Sequence, residues 1–161
     1  MLKNLRAKNK ILLFYRIFEK TYSMLQRDFI LRMIEEISKF VALVLKLKEA
    51  GEPVKAYEEL KNMTKKFTGI PYDALVGRSD EKVSLSAKPN DPVQYLDAKG
   101  QFFLTAGELC LDLNKRDEAQ KLLETALFFY TAAENNHKTF SFQRQVDMSK
   151  IFDYLDLMAA P

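Results

Sequence analysis

The stretch GQFFLTAGELCLDLNKRDEAQKLLETALFFYTAA, residues 100–133, decides the fold. Its first half is apolar nearly all round, which indicates a helix buried in a core and not one lying on a surface. Residues 114–116 interrupt the apolar pattern and are few enough to form a tight turn. A second apolar helical segment follows, so the stretch predicts two antiparallel helices that pack against each other.

These 34 residues resemble a tetratricopeptide repeat, a helix hairpin that stacks with further copies into a superhelix. The resemblance depends on one large aromatic residue, where the family prefers Trp, and on four small or apolar residues at the helix crossing: Phe103, Gly107, Ala119, Leu123 and Ala126. Glycine at position 107 lets the two helices approach closely. Cys110 and Thr131 depart from the family pattern, in which Tyr and Pro are usual at these places.

Residues 37–70 resemble a degraded copy of the same repeat, with Gly51 at the turn, Ala56 and Leu60 in the second helix, and Val44 in place of the small residue. One clear copy and one degraded copy do not make a long solenoid. The sequence therefore predicts an all-α protein of antiparallel helix hairpins. It is either a tetratricopeptide-like right-handed helical repeat or a compact bundle of about six to seven helices.

Helix start and stop residues give the remaining boundaries. We expect helices over residues 24–49, 54–67, 92–113, 117–135 and 142–158, and a short helix over 79–86 in an irregular region. Ser23 and Gln26 fit a capping box that would restart the first helix, although an unbroken helix through residue 23 is the alternative. Asp91 is expected to cap the helix over residues 92–113. In the last helix, the apolar residues expected to face inward are Val146, Ile151, Phe152, Leu155 and Met158.

The segment MLQRDFILRMIEEISKF, residues 24–40, is similar to the opening of an uncharacterised bacterial family of small tetratricopeptide-like proteins. That family begins with Met and continues with an Arg-Asp-aromatic-Ile-x-Arg-x-Ile-Glu pattern. The resemblance implies the fold over residues 24–161 and implies no activity. It also predicts a division into a basic amphipathic extension, residues 1–23, and a single tetratricopeptide-like domain, residues 24–161.

Residues 1–23 carry six Lys or Arg side chains against Glu19 alone, whereas the rest of the chain is mildly acidic. A narrow apolar stripe runs along the helix expected here, formed by Ile11, Phe14, Tyr15, Phe18, Tyr22 and Leu25. Three interpretations stay open. The segment is an extension that the domain does not need, a helix that docks on a groove or an anionic surface, or a helix that packs on its own domain.

The composition excludes several classes of protein. The body of the chain is not basic enough for a general polyanion binder, so no specific nucleic-acid partner is expected. No apolar run approaches the roughly 20 residues of a membrane span, and no secretory cleavage site is evident. The expected location is therefore the cytoplasm, and attachment to a membrane surface depends only on residues 1–23.

No pattern in the chain predicts catalysis, a cofactor or a metal site. His137 is the only histidine and lies at a helix end, where capping or solvation explains it. Without further histidines, triads and zinc sites lack partners, and the five glycines form no phosphate loop. Acidic pairs such as Asp117–Glu118 are interpreted as solvated first-turn acids. Cys110 is expected to be a buried, inert thiol in apolar surroundings.

The expected function is non-catalytic: a protein–protein interaction or scaffold module, with self-association to a homodimer as a further expectation. The candidate interaction or self-packing surface consists of Val41, Leu45, Leu104, Glu108 and Leu111. Its four apolar members are expected to be covered, either by the last helix acting as a lid or by a second subunit. The alternative function is an accessory or regulatory subunit that binds a small ligand between helices.

Overall fold

The computed structural model describes residues 2–77 and 86–160, and the side chains from residue 10 onward. These parts contain six α-helices and no strand: α1 (Leu2–Glu49), α2 (Pro53–Thr68), α3 (Tyr72–Leu75), α4 (Val93–Asp112), α5 (Arg116–His137) and α6 (Phe142–Ala159). The predicted all-α class and number of helices are confirmed. The chain divides into two compact units, residues 1–33 and residues 34–161. The predicted domain boundary after residue 23 stays a prediction.

Helix α1 passes through Ser23 without interruption, so the unbroken alternative is the one observed and no restart occurs at Met24. No Gly or Pro stands before residue 51 to stop it. The helix ends where predicted, because Gly51 adopts a φ of 74° and the Glu52 amide donates to the carbonyl of Leu47 at 2.8 Å. Pro53 then opens α2 at its first turn, and Gly69, with a φ of 73°, closes it.

The α4–α5 hairpin has the close crossing that the small residues predict. A Cβ placed on Gly107 would lie 2.7 Å from Cγ and Cδ2 of Leu123, and one on Gly100 would lie 2.5 Å from the ring of Tyr130. Between these two points the rings of Phe103 and Phe129 stack with centroids 5.7 Å apart. Gly100 therefore allows a second close approach of the two helices, in addition to the one predicted at Gly107.

An aromatic cluster joins the hairpin to the helices before it in the chain. Phe102 of α4 packs against Phe40 of α1 and Phe67 of α2, with ring centroids 4.9 Å and 5.0 Å apart. Ile37, Val44 and other apolar residues of α1 in the second unit are also buried. The core of residues 34–161 is thus shared among α1, α2, α4 and α5.

The N-terminal caps of α4 and α6 differ from what the sequence predicts. Asp91 does not cap α4: its Oδ2 accepts from the backbone amide of Lys88 at 2.9 Å, so the carboxylate turns back into the preceding turn. Ser141, which the sequence analysis did not single out, caps α6 by accepting from the amide of Arg144 at 3.3 Å.

The last helix buries fewer residues than its apolar pattern predicts. Ile151 is fully buried, and Leu155 and Met158 are half-buried. Val146 and Phe152 are 43% and 52% exposed, so the prediction that they face inward is wrong. Of the irregular region, the structure shows the single helical turn α3, which was not predicted, whereas the helix predicted over residues 79–86 lies almost wholly outside the described residues.

Candidate interaction site

The predicted interaction surface is covered unevenly by the chain itself. Leu104 is buried, Val41 and Leu111 are half-buried, and Leu45 is 48% exposed. The chain itself therefore does not cover Leu45, and the covering of this residue by a second subunit stays a prediction. Phe103, Gly107, Ala119, Leu123 and Ala126, the residues that carry the resemblance, are all buried in the α4–α5 hairpin.

Helix α6 lies over the part of the predicted surface that contains Glu108. The Lys150 ammonium pairs with Glu108 Oε1, and the Tyr154 hydroxyl donates to the same oxygen at 3.0 Å. The bond to Glu108 raises the pKa of Lys150, and partial burial, followed by Glu108, raises the pKa of Tyr154. Glu108, half-buried, is consequently engaged inside the chain and does not line an open groove.

An open cleft of about 280 Å³ lies beside this covered region. Helix α1 lines it with Ile34 and Ser38, α4 with residues one to three turns before Leu104, α5 with Tyr130, and α6 with its first two turns and the residue before them. The polar lining residues are Ser38, Gln94, Asp97, Gln101, Tyr130, Ser141, Gln143, Arg144 and Asp147. Ser38 and Gln101 occupy equivalent positions in the two repeat-like segments, so the structure places corresponding residues of both segments in one cleft.

A buried ion pair fixes the wall of this cleft. The Arg144 guanidinium donates through Nε to Asp97 Oδ1 at 2.7 Å and through Nη2 to Oδ2 at 3.1 Å, while Nη1 donates to the carbonyl of Thr139 at 2.8 Å. Arg144 is only 2% exposed, and its hydrogen bonds to Asp97 raise its pKa. This two-point geometry holds α6 against α4 in one orientation.

A second carboxylate in the cleft is held in the same way. The Tyr130 hydroxyl and the Gln143 side-chain amide each donate to one oxygen of Asp147, both at 2.9 Å. Burial, reinforced by Asp147, raises the pKa of Tyr130 well above its usual range. Both carboxylates that line the cleft are thus fixed by protein partners and serve as parts of its frame.

The side-chain amides of Gln94 and Gln101 are different. Both residues are exposed, both line the cleft, and neither side chain forms a hydrogen bond or ion pair with any described residue. They lie seven residues apart on α4, which is two helical turns and a rise of about 10.5 Å. These amides are the groups that the cleft can offer to a ligand.

A separate cluster of polar groups is buried between α2, α3, α4 and α5. The hydroxyls of Tyr57 and Tyr72 donate to Glu118 Oε2 at 2.5 Å and 2.6 Å, and the Cys110 sulfur lies 3.5 Å from the Tyr72 hydroxyl. Lys115 Nζ is 3.6 Å from the other carboxylate oxygen. Burial raises the pKa of Tyr57 to about 12, with Glu118 contributing, and raises that of Tyr72 as well.

This cluster corrects two predictions. Glu118 is 4% exposed, so the interpretation of it as a solvated first-turn acid is wrong, although its neighbour Asp117 is exposed. Cys110 is fully buried as expected, but its surroundings include the Tyr72 hydroxyl and are not purely apolar. The Glu118 carboxylate connects α2, α3 and α5, and the contact between Tyr72 and Cys110 adds α4, which gives the cluster a structural role.

His137 also makes a structural contact. Its Nε2 lies 2.6 Å from the carbonyl oxygen of Asp91, and the Asn136 side chain donates to the carbonyl of Lys88 at 3.4 Å. The end of α5 is therefore tied to the turn that precedes α4. Within residues 10–77 and 86–160, no group of His, Cys, Asp and Glu side chains is arranged to hold a metal ion.

Sequence reasoning missed Asp97, Arg144 and Asp147, because an apolar period identifies only the apolar members of a buried face. The available signal was weak: Arg144 is the third residue of α6, in the same first turn as the exposed Phe142. None of the helices in the described part is long and apolar enough to cross a membrane. No protein-family model matches this chain, and comparisons with curated proteins and with solved structures found no match.

Proposed function

We propose that this protein is a non-catalytic, tetratricopeptide-like interaction module that receives an extended segment of a partner protein in the cleft between α1, α4 and α6. The observation that carries the proposal is the pair of exposed glutamine amides, Gln94 and Gln101, that line a polar cleft without partners among the described residues. Tetratricopeptide-like folds use the same inner helices to present a groove to peptides.

Glutamine suits this task because its side chain both donates and accepts, as a peptide group does. A glutamine amide can therefore pair with the backbone of a bound segment whatever the side chains of that segment are. The rise of about 10.5 Å between Gln94 and Gln101 corresponds to about three residues of extended chain at about 3.3 Å each. The two amides are thus spaced to hold one short extended segment at two points.

The frame of the cleft supports the same function. The charged residues that line the cleft are Asp97, Asp147 and Arg144, so the lining has an excess of negative charge. A partner segment with a basic residue therefore fits the cleft best. The carboxylates are already fixed by Arg144, Tyr130 and Gln143, so little ordering accompanies binding. A preformed polar cleft of this kind favours recognition of a segment over catalysis.

Site-specific photo-crosslinking tests the proposal. A photoreactive phenylalanine analogue replaces Ser38 in the full chain, and a matched variant carries it at Ser149, an exposed serine of α6 that is not part of the cleft. Irradiation in the producing cells should yield a discrete protein adduct from position 38 and none from 149. Absence of adducts at 38, or equal labelling at both positions, would contradict a partner in the cleft.

The alternative function, an accessory subunit that binds a small ligand between helices, is favoured by the size of the cleft. A volume of about 280 Å³ is close to the lower end of the range for small-molecule pockets. Native mass spectrometry of the protein from its own cells distinguishes the two. A small molecule that co-purifies and is released on denaturation supports this alternative. We expect the module to act in the cytoplasm and to belong to the bacterial family that residues 24–40 resemble.

A further inference from the structure

The first half of α1 exposes a row of large apolar side chains with a fixed spacing. We call this row the α1 seam; its members are Ile11, Tyr15, Phe18, Tyr22, Leu25 and Phe29. Each is between 55% and 64% exposed. Residues 1–33 form a unit by themselves, and the described part of this unit contains a single helix segment, so the unit holds no second element that could cover the row.

The spacing of the α1 seam is that of a coiled coil. Its members fall into two interleaved sets, 11, 18, 25 and 15, 22, 29, with seven residues between neighbours in each set. A strict seven-residue repeat has a period of about 3.5, slightly shorter than the 3.6 of a straight helix. Against a straight helix such a repeat drifts by only about 20° per heptad, and two helices of the same period that wind around each other remove this drift.

We propose that the α1 seam pairs with the α1 seam of a second copy of this chain, which makes the protein a homodimer through a two-stranded helical coil. The partner must be a helix whose apolar row has the same length and period, and a second copy supplies one without further assumption. This interaction surface is separate from the cleft of the proposed function and does not depend on it.

The area of the α1 seam, when fully covered in both chains, reaches the lower end of the range for specific dimers. Aromatic side chains bury about 150–250 Å² each when fully covered. With some 60% of each side chain exposed, covering the six members removes roughly 100 Å² each, or about 600 Å² from each chain. The total of about 1,200 Å² reaches the lower limit of specific protein–protein interfaces.

The charges around the α1 seam favour a second chain over a lipid surface. The acids Glu19 and Asp28 stand on the two flanks of the seam, where a helix lying on an anionic bilayer would bring them against lipid phosphates. The basic side chains Arg16, Lys20 and Arg27 lie on the opposite side, far from the interface in a helix pair.

Leucine provides a matched pair of variants on this helix. Leu25 belongs to the α1 seam and is 64% exposed, while Leu13 lies on another side of the same helix and is 59% exposed. Sedimentation equilibrium of the full wild-type chain at up to about 100 μM, far above the Kd of ordinary dimers, should give twice the chain mass of 18.7 kDa. Leu25→Glu should weaken association at least about 100-fold and give the single-chain mass. Leu13→Glu should remain dimeric.

Several outcomes would overturn the proposal. A wild-type chain that stays monomeric at all concentrations has no such interface, and a dimer that persists in Leu25→Glu has its interface elsewhere. Circular dichroism must show unchanged helicity; if Leu25→Glu unfolds, Phe18→Glu, also in the seam, takes its place and must give a folded monomer. A monomeric wild type that floats with phosphatidylserine vesicles would show that the seam covers a membrane surface instead.

Discussion

Replacement of Gly107 by leucine tests the hairpin on which the fold assignment depends. A single Cβ at this position would already lie 2.7 Å from two side-chain atoms of Leu123 and 3.5 Å from the carbonyl oxygen of Ala119. Leu123 and Ala119 are both fully buried, so no space is open beside them. The added side chain must force α4 and α5 apart or push Leu123 out of its rotamer.

The expected loss of stability follows from these distances. Overpacking of a filled core costs about 1–3 kcal/mol, and a side chain of four carbons at a contact of 2.7 Å belongs at the upper end. Replacement of a glycine in a helix interior stabilises the helix by about 1 kcal/mol, which offsets part of this loss. The net loss is therefore about 1–2 kcal/mol. For a chain of this length that corresponds to a decrease in Tm of roughly 2–8 °C.

Thermal and urea denaturation followed by circular dichroism measure the effect, with Gln101→Leu as the control because it adds leucine at an exposed position of the same helix. That control should change stability by less than about 0.5 kcal/mol. The double variant Gly107→Leu with Leu123→Ala should lose less stability than the sum of the two single variants, because the smaller alanine leaves room for the added leucine. An unchanged or increased Tm in Gly107→Leu would refute the close crossing at this glycine.

Three further predictions concern buried polar groups. Glu118→Ala leaves two tyrosine hydroxyls without their acceptor and should cost about 2–5 kcal/mol in urea denaturation, whereas Asp117→Ala, at its exposed neighbour, should cost less than about 0.5 kcal/mol. The pKa of Tyr57 is raised from 10.0 to about 12 in the folded state. This shift adds stability that is complete below pH 10 and is lost as the pH rises toward 12, because Tyr57 of the unfolded chain loses its proton first. Melting curves between these limits should be less pH-dependent in Tyr57→Phe than in the wild type, and an equal slope in both proteins would contradict the assignment. Arg144→Met leaves Asp97 without its partner and should cost about 2–4 kcal/mol in the same denaturation, toward the lower end because the Asp97 side chain is 32% exposed and keeps some water.

The sequence predicted those parts of the fold that depend on local rules. Gly51, Pro53 and Gly69 marked the end of α1 and both ends of α2, because positive φ angles and a missing amide act within one or two residues. Gly107 and Ala119 marked the close crossing of α4 and α5, since small residues at that spacing leave room for little else. These features need no knowledge of the rest of the chain.

The features that escaped prediction depend on residues far apart in the sequence. Arg144 is buried only because Asp97, 47 residues earlier, meets it, and Glu118 is buried only because Tyr57 and Tyr72 reach it from other helices. When the sequence does not reveal the partner of a charged side chain, that side chain is predicted to be exposed to solvent. The exposed Val146 and Phe152 show the opposite error, because an apolar pattern does not tell which of its members find a neighbour.

The aromatic cluster of Phe40, Phe67 and Phe102 has a consequence for synthesis on the ribosome. Phe40 and Phe67 emerge first, and Phe102, which touches both rings, follows 35 residues after Phe67. At translation rates of about 5–20 residues per second, this delay lasts roughly 2–7 s. During that time the nascent α1 and α2 present apolar rings that no completed core yet covers. The order of elements along the chain therefore leaves the rings of Phe40 and Phe67 without their third partner until α4 has left the exit tunnel.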